Sequence, residues 1–311
     1  MKTGILKRLA LVLVSAALAL GPAVTPAAAE EQAQAFVENE WNFVDASMDT
    51  SNGIPETANG VLARIRETGV LRVGTEPFFA PQEFIDPDLE GQDSYAGADM
   101  ELARLIARRM GVRLEIIPMD FTDLFRAVAE GRCDLVISAL SFTPARAVSS
   151  TMSKGYFFSE TVANITIVVR EEDADRIRSV DDLKECILAA QRGSVQEAVT
   201  VEMVRQYKEF RRVVLTQEVY EMVKSGAADA GAVDMENAQN YIRNNPESGL
   251  VMADGIRFML EEQFAGDRIA AKKGETELMY FVNGVIDEVI SQGLYNEWYR
   301  EAMKRADELD L

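Results

Sequence analysis

The sequence predicts an α/β protein of two similar lobes with a cleft between them. Three observations carry this. Short apolar strand-like runs alternate with amphipathic helical stretches; the alternation occurs twice; and no low-complexity or Pro/Gly/Ser-rich linker divides the two runs. A β-α-β-α-β order builds a parallel sheet covered by helices on both faces. Two lobes without a flexible linker enclose a cleft, with hinge strands expected near 165–169 and 257–271.

In chain order, 30–58 is polar around an isolated patch at 41–44 and reads as an N-terminal extension. A short helix follows, with Thr57 able to cap it, Val61, Leu62 and Ile65 on one face, and Gly69 ending it. The first lobe then reads as strand 70–74, helix 99–110 stopped by Gly111, strand 112–117, helix 122–130 and buried strand 134–138. The second reads as extended 164–169, strand 186–190, helix 194–207, strand 212–215, helix 219–224, strand 228–233 and helix 235–243. Amphipathic helices at 275–291 and 294–307 are large enough to return to the first lobe. The expected organisation is 59–165 with 262–311 as lobe one, and 166–261 as lobe two.

Lys2, Lys7 and Arg8 precede an apolar run at 9–20, which Gly21 and Pro22 break before small residues at 26–29. This is the three-part pattern of a secretory signal peptide, 1–29, cleaved after Ala29. The run is shorter than the roughly 20 residues a bilayer span needs. The mature protein is therefore expected to be exported and soluble. Losing those three cations shifts the net charge from −19 to −22. Such a balance argues against nucleic acid, whose phosphates need a basic face, and against anionic lipid. The absence of histidine removes Ser-His-Asp and Cys-His catalysis and histidine metal sites. Cys133 and Cys186 fall at strand starts in different lobes and read as buried free thiols. No metal or cofactor is expected.

Ligands of open parallel sheets sit outside the carboxyl ends of the strands. After the first strand come Glu76 and Phe79; after the third, Ser138, Ala139, Leu140, Ser141 and Arg146; after the first strand of lobe two, Arg192, Ser194, Val195 and Gln196; and after its third, Asp234. Phe121 opens the second helix of lobe one. An arginine fork, helix-start N–H groups, hydroxyls, aromatics and acids suit a zwitterion. Singly, each has a plainer role: Arg146 as a solvated surface residue, Asp234 and Ser194 as helix caps, Phe79 and Phe121 as core.

At these residues the chain resembles the type II periplasmic solute-binding proteins (family 3) of polar amino-acid ABC transporters, over about 61–304. The resemblance rests on Gly69-Val70-Leu71-Arg72-Val73-Gly74-Thr75, on Gly97-Ala98-Asp99-Met100-Glu101-Leu102-Ala103, and on Gly131-x-x-Asp134-Leu135-Val136-Ile137 followed by Thr143-Pro144-x-Arg146. Gln191-x-Gly193-Ser194, Asp229-Ala230…Asp234 and Leu294-Tyr295-x-x-Trp298-Tyr299 complete it. It implies two Rossmann-like lobes with mixed, mostly parallel sheets joined by two hinge strands. It also implies a monomer that closes on a free amino acid in the periplasm and delivers it to an inner-membrane ABC permease. Carried over, Arg146 grips the α-carboxylate, assisted by the Ser141 N–H and the helix start at 194–196. Asp234 and the 138–140 backbone hold the α-ammonium, Phe79 and Phe121 flank the side chain, and Glu76 faces its far end. Ala139 and Val195 depart from positions where relatives often carry hydroxyls, and Arg192 adds a cation. Glu76 favours a polar or basic amino acid; Arg192, if turned inward, favours glutamate or aspartate. The rival reading is an enzyme resembling the cyclohexadienyl dehydratases of this fold, with Glu76 or a lobe-two acid protonating a leaving hydroxyl.

Overall fold

The structure is a computed structural model that describes residues 44–158, 164–260, 265–309 and 311. The expected signal peptide and the residues 41–43 lie outside them, as do 159–163 and 261–264 near the expected hinges. Among the described residues no helix is long and apolar enough to cross a membrane.

The first sheet has strand order β5-β1-β6-β13-β7, with β1 Val70–Thr75, β5 Arg113–Pro118, β6 Leu135–Ser141, β7 Ser150–Met152 and β13 Asp267–Lys272. β1 runs parallel to β5 and β6, while β13 pairs antiparallel with β6 and β7. The second sheet has order β10-β9-β11-β8-β12, with β8 Asn164–Arg170, β9 Ile187–Gln191, β10 Glu209–Val213, β11 Ala230–Asp234 and β12 Leu250–Met259. Again three strands are parallel, and the strand entering from the other lobe is antiparallel. The sheets are thus mixed, mostly parallel, and share one wiring. In both, order reverses beside the first strand, leaving a crevice at the strand ends.

Strand burial follows from helices on both faces. Leu135 and Ile137 of β6 join a core with Leu102, Ile106 and Phe281, whereas Val136 and Leu140 face Leu124, Val128 and Phe142. The covering helices of lobe one are α1 Gly60–Thr68, α2 Ala98–Met110, α3 Leu124–Glu130, α4 Pro144–Ser149, α8 Thr276–Gln292 and α9 Leu294–Glu308. Lobe two has α5 Val195–Met203, α6 Thr216–Lys224 and α7 Met235–Asn244. β13, α8 and α9 complete the first lobe's sheet and core, although they follow lobe two in the chain.

Several sequence expectations shift. Thr57 does not cap α1; the start is held by the carboxylates of Glu275 and Glu277, which accept from Val61 N at 2.9 Å and Asn59 N at 3.0 Å. The helix expected over 194–207 stops at Met203 because Val204 turns into the core. The strand expected at 212–215 is Glu209–Val213, an edge strand whose charged residues lack an apolar pattern. A meander of β2 Phe78–Phe79, β3 Glu83–Ile85 and β4 Tyr95–Ala96 was not anticipated, since its strands are two or three residues long.

The extension is not loose from 44 onward. Val44 N donates to Met152 O at 3.0 Å on the edge strand β7, and Met48 N to Tyr280 O at 3.0 Å. The buried Asn283 amide donates to the carbonyls of Val44 and Ala46 and accepts from Lys154 N at 3.1 Å. Gly284 lets this strap lie flat, for a Cβ there would strike the Met48 carbonyl.

Cys133 and Cys186 are buried free thiols in different lobes, and burial pushes the Cys133 thiol up to about 11.

Candidate functional site

The strand ends of both sheets converge on one cleft. Glu76, Phe79, Glu83, Phe121, Ser138, Ala139, Ser141 and Arg146 line it from lobe one. Lobe two contributes Gln191, Thr216 and the helix start Ser194–Val195–Gln196, together with Asp234. The empty space between them, open solvent at its mouth included, is about 520 Å³. The lobes touch across it. Gln217 Nε2 donates to Phe78 O at 2.7 Å, Arg146 to Gly193 O at 3.3 Å, and Gln191 Nε2 to Glu76 Oε2 at 3.4 Å.

Arg146 lies one turn into α4, whose Thr143 cap and Pro144 set the start. Its guanidinium donates to Ser141 O at 2.7 Å and lies over the rings of Phe121 and Phe125, at 5.5 Å and 5.1 Å from their centroids. Among the described residues no carboxylate pairs with it. Burial pushes its pKa down to about 10, against the attraction of Asp267. A partly enclosed guanidinium with donors to spare is an anion clamp.

Asp234 does two jobs at the end of β11. Its Oδ1 accepts from Glu236 N at 2.9 Å and Asn237 N at 3.1 Å, capping α7. The residue also lines the cleft, and burial pushes its pKa up to about 7. The capping and ligand readings are therefore compatible. Ser194 Oγ accepts from Glu197 N at 3.0 Å and caps α5, leaving the next N–H groups at the cleft wall.

Glu76 is 3% exposed. Its backbone N–H donates to Ser138 Oγ at 3.1 Å, and its carboxylate Oε1 has no protein partner. Burial pushes its pKa up to about 7, with the nearby charge of Asp120 adding to the rise. Such an orphaned buried acceptor asks for a donor.

Of the expected residues, the cleft brings together Glu76, Phe79, Phe121, Ser138, Ala139, Ser141, Arg146, Ser194, Val195, Gln196 and Asp234. Leu140, expected to contribute its backbone, does not line the cleft: it pairs with Arg268 of β13, and its side chain is fully buried in the lobe-one core. Arg192 is exposed and does not line the cleft; its N–H pairs with Val213 O at 2.9 Å as the chain leaves β9. The route it offered to an acidic ligand is lost. Sequence reasoning missed Glu83, 1% exposed, and did not select Gln191 or Thr216. An acid between Gln82 and Phe84, in a stretch too short for periodicity, was the signal for Glu83. Thr216 Oγ1 donates to Gln191 Oε1 at 3.3 Å, so these two form one polar wall.

Comparison with known proteins agrees with this geometry. Residues 71–304 match the model of the bacterial extracellular solute-binding proteins, family 3. The arginine-binding extracellular protein ArtP of Bacillus subtilis is 30% identical over 236 residues, covering 74% of this chain and 86% of ArtP. The structure of the amino acid ABC transporter substrate-binding protein AbpA from Streptococcus pneumoniae, bound to L-arginine, has a TM-score of 0.69 at 29% identity, covering 78% of this chain and 98% of AbpA. An ancestral amino acid-binding protein, a precursor of cyclohexadienyl dehydratase, has a TM-score of 0.66 at 28% identity, covering 78% of this chain and 100% of that one. The chain therefore belongs to family 3 of the bacterial extracellular solute-binding proteins.

Proposed function

We propose that this protein is the substrate-binding component of an ABC transporter, exported with cleavage after Ala29, and that it captures a basic amino acid by hinge closure. In this reading Arg146 and the N–H groups of Ser194–Val195–Gln196 hold the α-carboxylate. Asp234 and the backbone at Ser138–Ala139 hold the α-ammonium. Phe79 and Phe121 flank the side chain, whose cationic end meets Glu76. The observation that carries it is the Glu76 carboxylate, buried at the cleft with one oxygen unpartnered. A cationic or amide donor satisfies that oxygen, and an acidic side chain is repelled by it. The arginine named for ArtP and AbpA points the same way. Ligand contacts from both lobes stabilise closure, and a monomer then offers the loaded form to a permease.

The test is a thermal-shift screen followed by calorimetry with arginine, lysine and glutamine against glutamate and aspartate. A ligand at about 100 times its dissociation constant stabilises the fold by about 2.7 kcal/mol. Tighter binding of glutamate than of arginine overturns the assignment. One observation favours a second reading: a buried Glu76 with a pKa of about 7 suits a general acid, as in a dehydratase. Turnover of prephenate or arogenate, abolished by Glu76→Gln, would replace the transport reading.

A further inference from the structure

Behind the cleft wall lies a closed set of polar groups that ligand contact does not explain. Asp99, fully buried near the start of α2, accepts from Ala139 N at 2.8 Å. Tyr156 and Tyr295 hydroxyls donate to the same carboxylate at 2.8 Å and 2.6 Å. Burial pushes its pKa up, and the three donors that converge on it oppose that rise and favour the ionised form. Glu83 is the close neighbour of Asp99: the Asp99 N–H donates to Gln82 O at 2.9 Å, both carboxyl groups are buried, and the charge of Asp99 adds to the burial that pushes the pKa of Glu83 up. Its Oε1 accepts from Ser138 Oγ at 2.9 Å, while Oε2 has no N–H or O–H donor. Ionising both of two neighbouring carboxyl groups in a buried site is strongly disfavoured.

The backbone beside them is unusual. Ala139 has φ 44°, the only non-glycine residue with positive φ among the described residues. It sits inside β6, where the register with β13 shifts. That conformation costs of order 1 kcal/mol and persists only where surrounding bonds impose it. Asp99 imposes it by taking the Ala139 N–H. Ser138, on the other side, joins Glu83 to the Glu76 backbone.

We infer that Glu83 is a carboxylic acid that donates a hydrogen bond to Asp99, and that this proton-sharing pair is the positioning device for the cleft wall at Ser138 and Ala139. The inference rests on the cleft being the ligand site, but not on which ligand enters it. Burial and the charges around the pair favour one proton between the two groups, against the Ser138 hydroxyl that donates to Glu83. Glu76 after β1 and Asp267 on β13 are further acids, Tyr156 and Tyr295 are neutral donors, and burial raises the pKa of Glu83 well above the ordinary carboxylate range. Arg146 acts on Asp267 rather than on Glu83. Glutamine reproduces the donor without a proton; alanine removes it and leaves Asp99 and Ser138 short of a partner.

Infrared spectroscopy of the ligand-free full chain at neutral pH tests the first half. A carboxylic-acid carbonyl band should be present in the wild type and missing from the difference spectrum's Glu83→Gln component. Calorimetry with arginine tests the second. Glu83→Ala should weaken binding on the order of tenfold, and Glu83→Gln should recover most of that loss. No lost acid band in Glu83→Gln, or an equal loss of affinity in both variants, overturns the inference. Should Glu83→Ala not fold, the infrared band and the Glu83→Gln affinity still decide it. The infrared arm needs no ligand, so it stands or falls apart from the proposed function.

Discussion

Replacing Glu76 by glutamine changes one charge at the cleft and almost no volume. The carboxylate has a pKa of about 7 because it is buried, and Asp234 reaches about 7 for the same reason. A group with that pKa is about nine-tenths ionised at pH 8 and about one per cent ionised at pH 5. If a cationic side chain binds only the ionised form, affinity falls by about 90-fold between those pH values through Glu76 alone. Asp234 contributes a similar factor through the α-ammonium, while arginine keeps its own charges throughout. Wild type should therefore bind arginine more tightly as pH rises from about 5 to 8, releasing protons, with the slope of two groups. Glu76→Gln should keep only the slope of Asp234 and bind arginine more weakly than wild type at pH 8. Stability should move the other way. A carboxyl group whose folded pKa lies above its unfolded value of 4.5 loses stability as pH rises between 4.5 and about 7. Removing it should leave the ligand-free Tm at pH 7 equal or higher. The assay is calorimetry across that pH range in two buffers of different ionisation heat, with a thermal melt beside it. Parallel pH profiles for wild type and Glu76→Gln would refute the reasoning, as would a fall in Tm.

Arg146→Ala should retain the fold and weaken ligand binding by about 3–5 kcal/mol, the penalty for an unpaired buried charge. Arg146→Lys should bind poorly too, since an ammonium lacks the planar fork that takes a carboxylate with two parallel bonds while still reaching Ser141 O and Gly193 O; calorimetry reads both. Asp234→Asn should bind amino acids much more weakly with little change in Tm, because an asparagine oxygen still accepts from the first N–H groups of α7. Gly284→Val should lower Tm by several degrees by lifting the strap at Met48 off α8, with ligand affinity in the surviving fold unchanged.

The parallel core strands and their helices were legible because burial on both faces writes long apolar runs and a 3.6-residue stripe. Leu135-Val136-Ile137 and the Leu102, Leu105, Ile106 stripe are such cases. Arg146, Ser194 and Asp234 could be placed because each follows a strand end, where the wiring of an open sheet forces a crevice. What stayed hidden is set by contacts between segments far apart in the chain. Arg192 and Ser194 are two residues apart, yet only Ser194 faces the cleft, since a tight turn at Gly193 reverses direction between them. Glu83 becomes a cleft residue through a short meander, and its proton through Asp99, Tyr156 and Tyr295. Local pattern reports burial and period; the charge state of a buried acid depends on which distant donors surround it, and only the packed chain decides that.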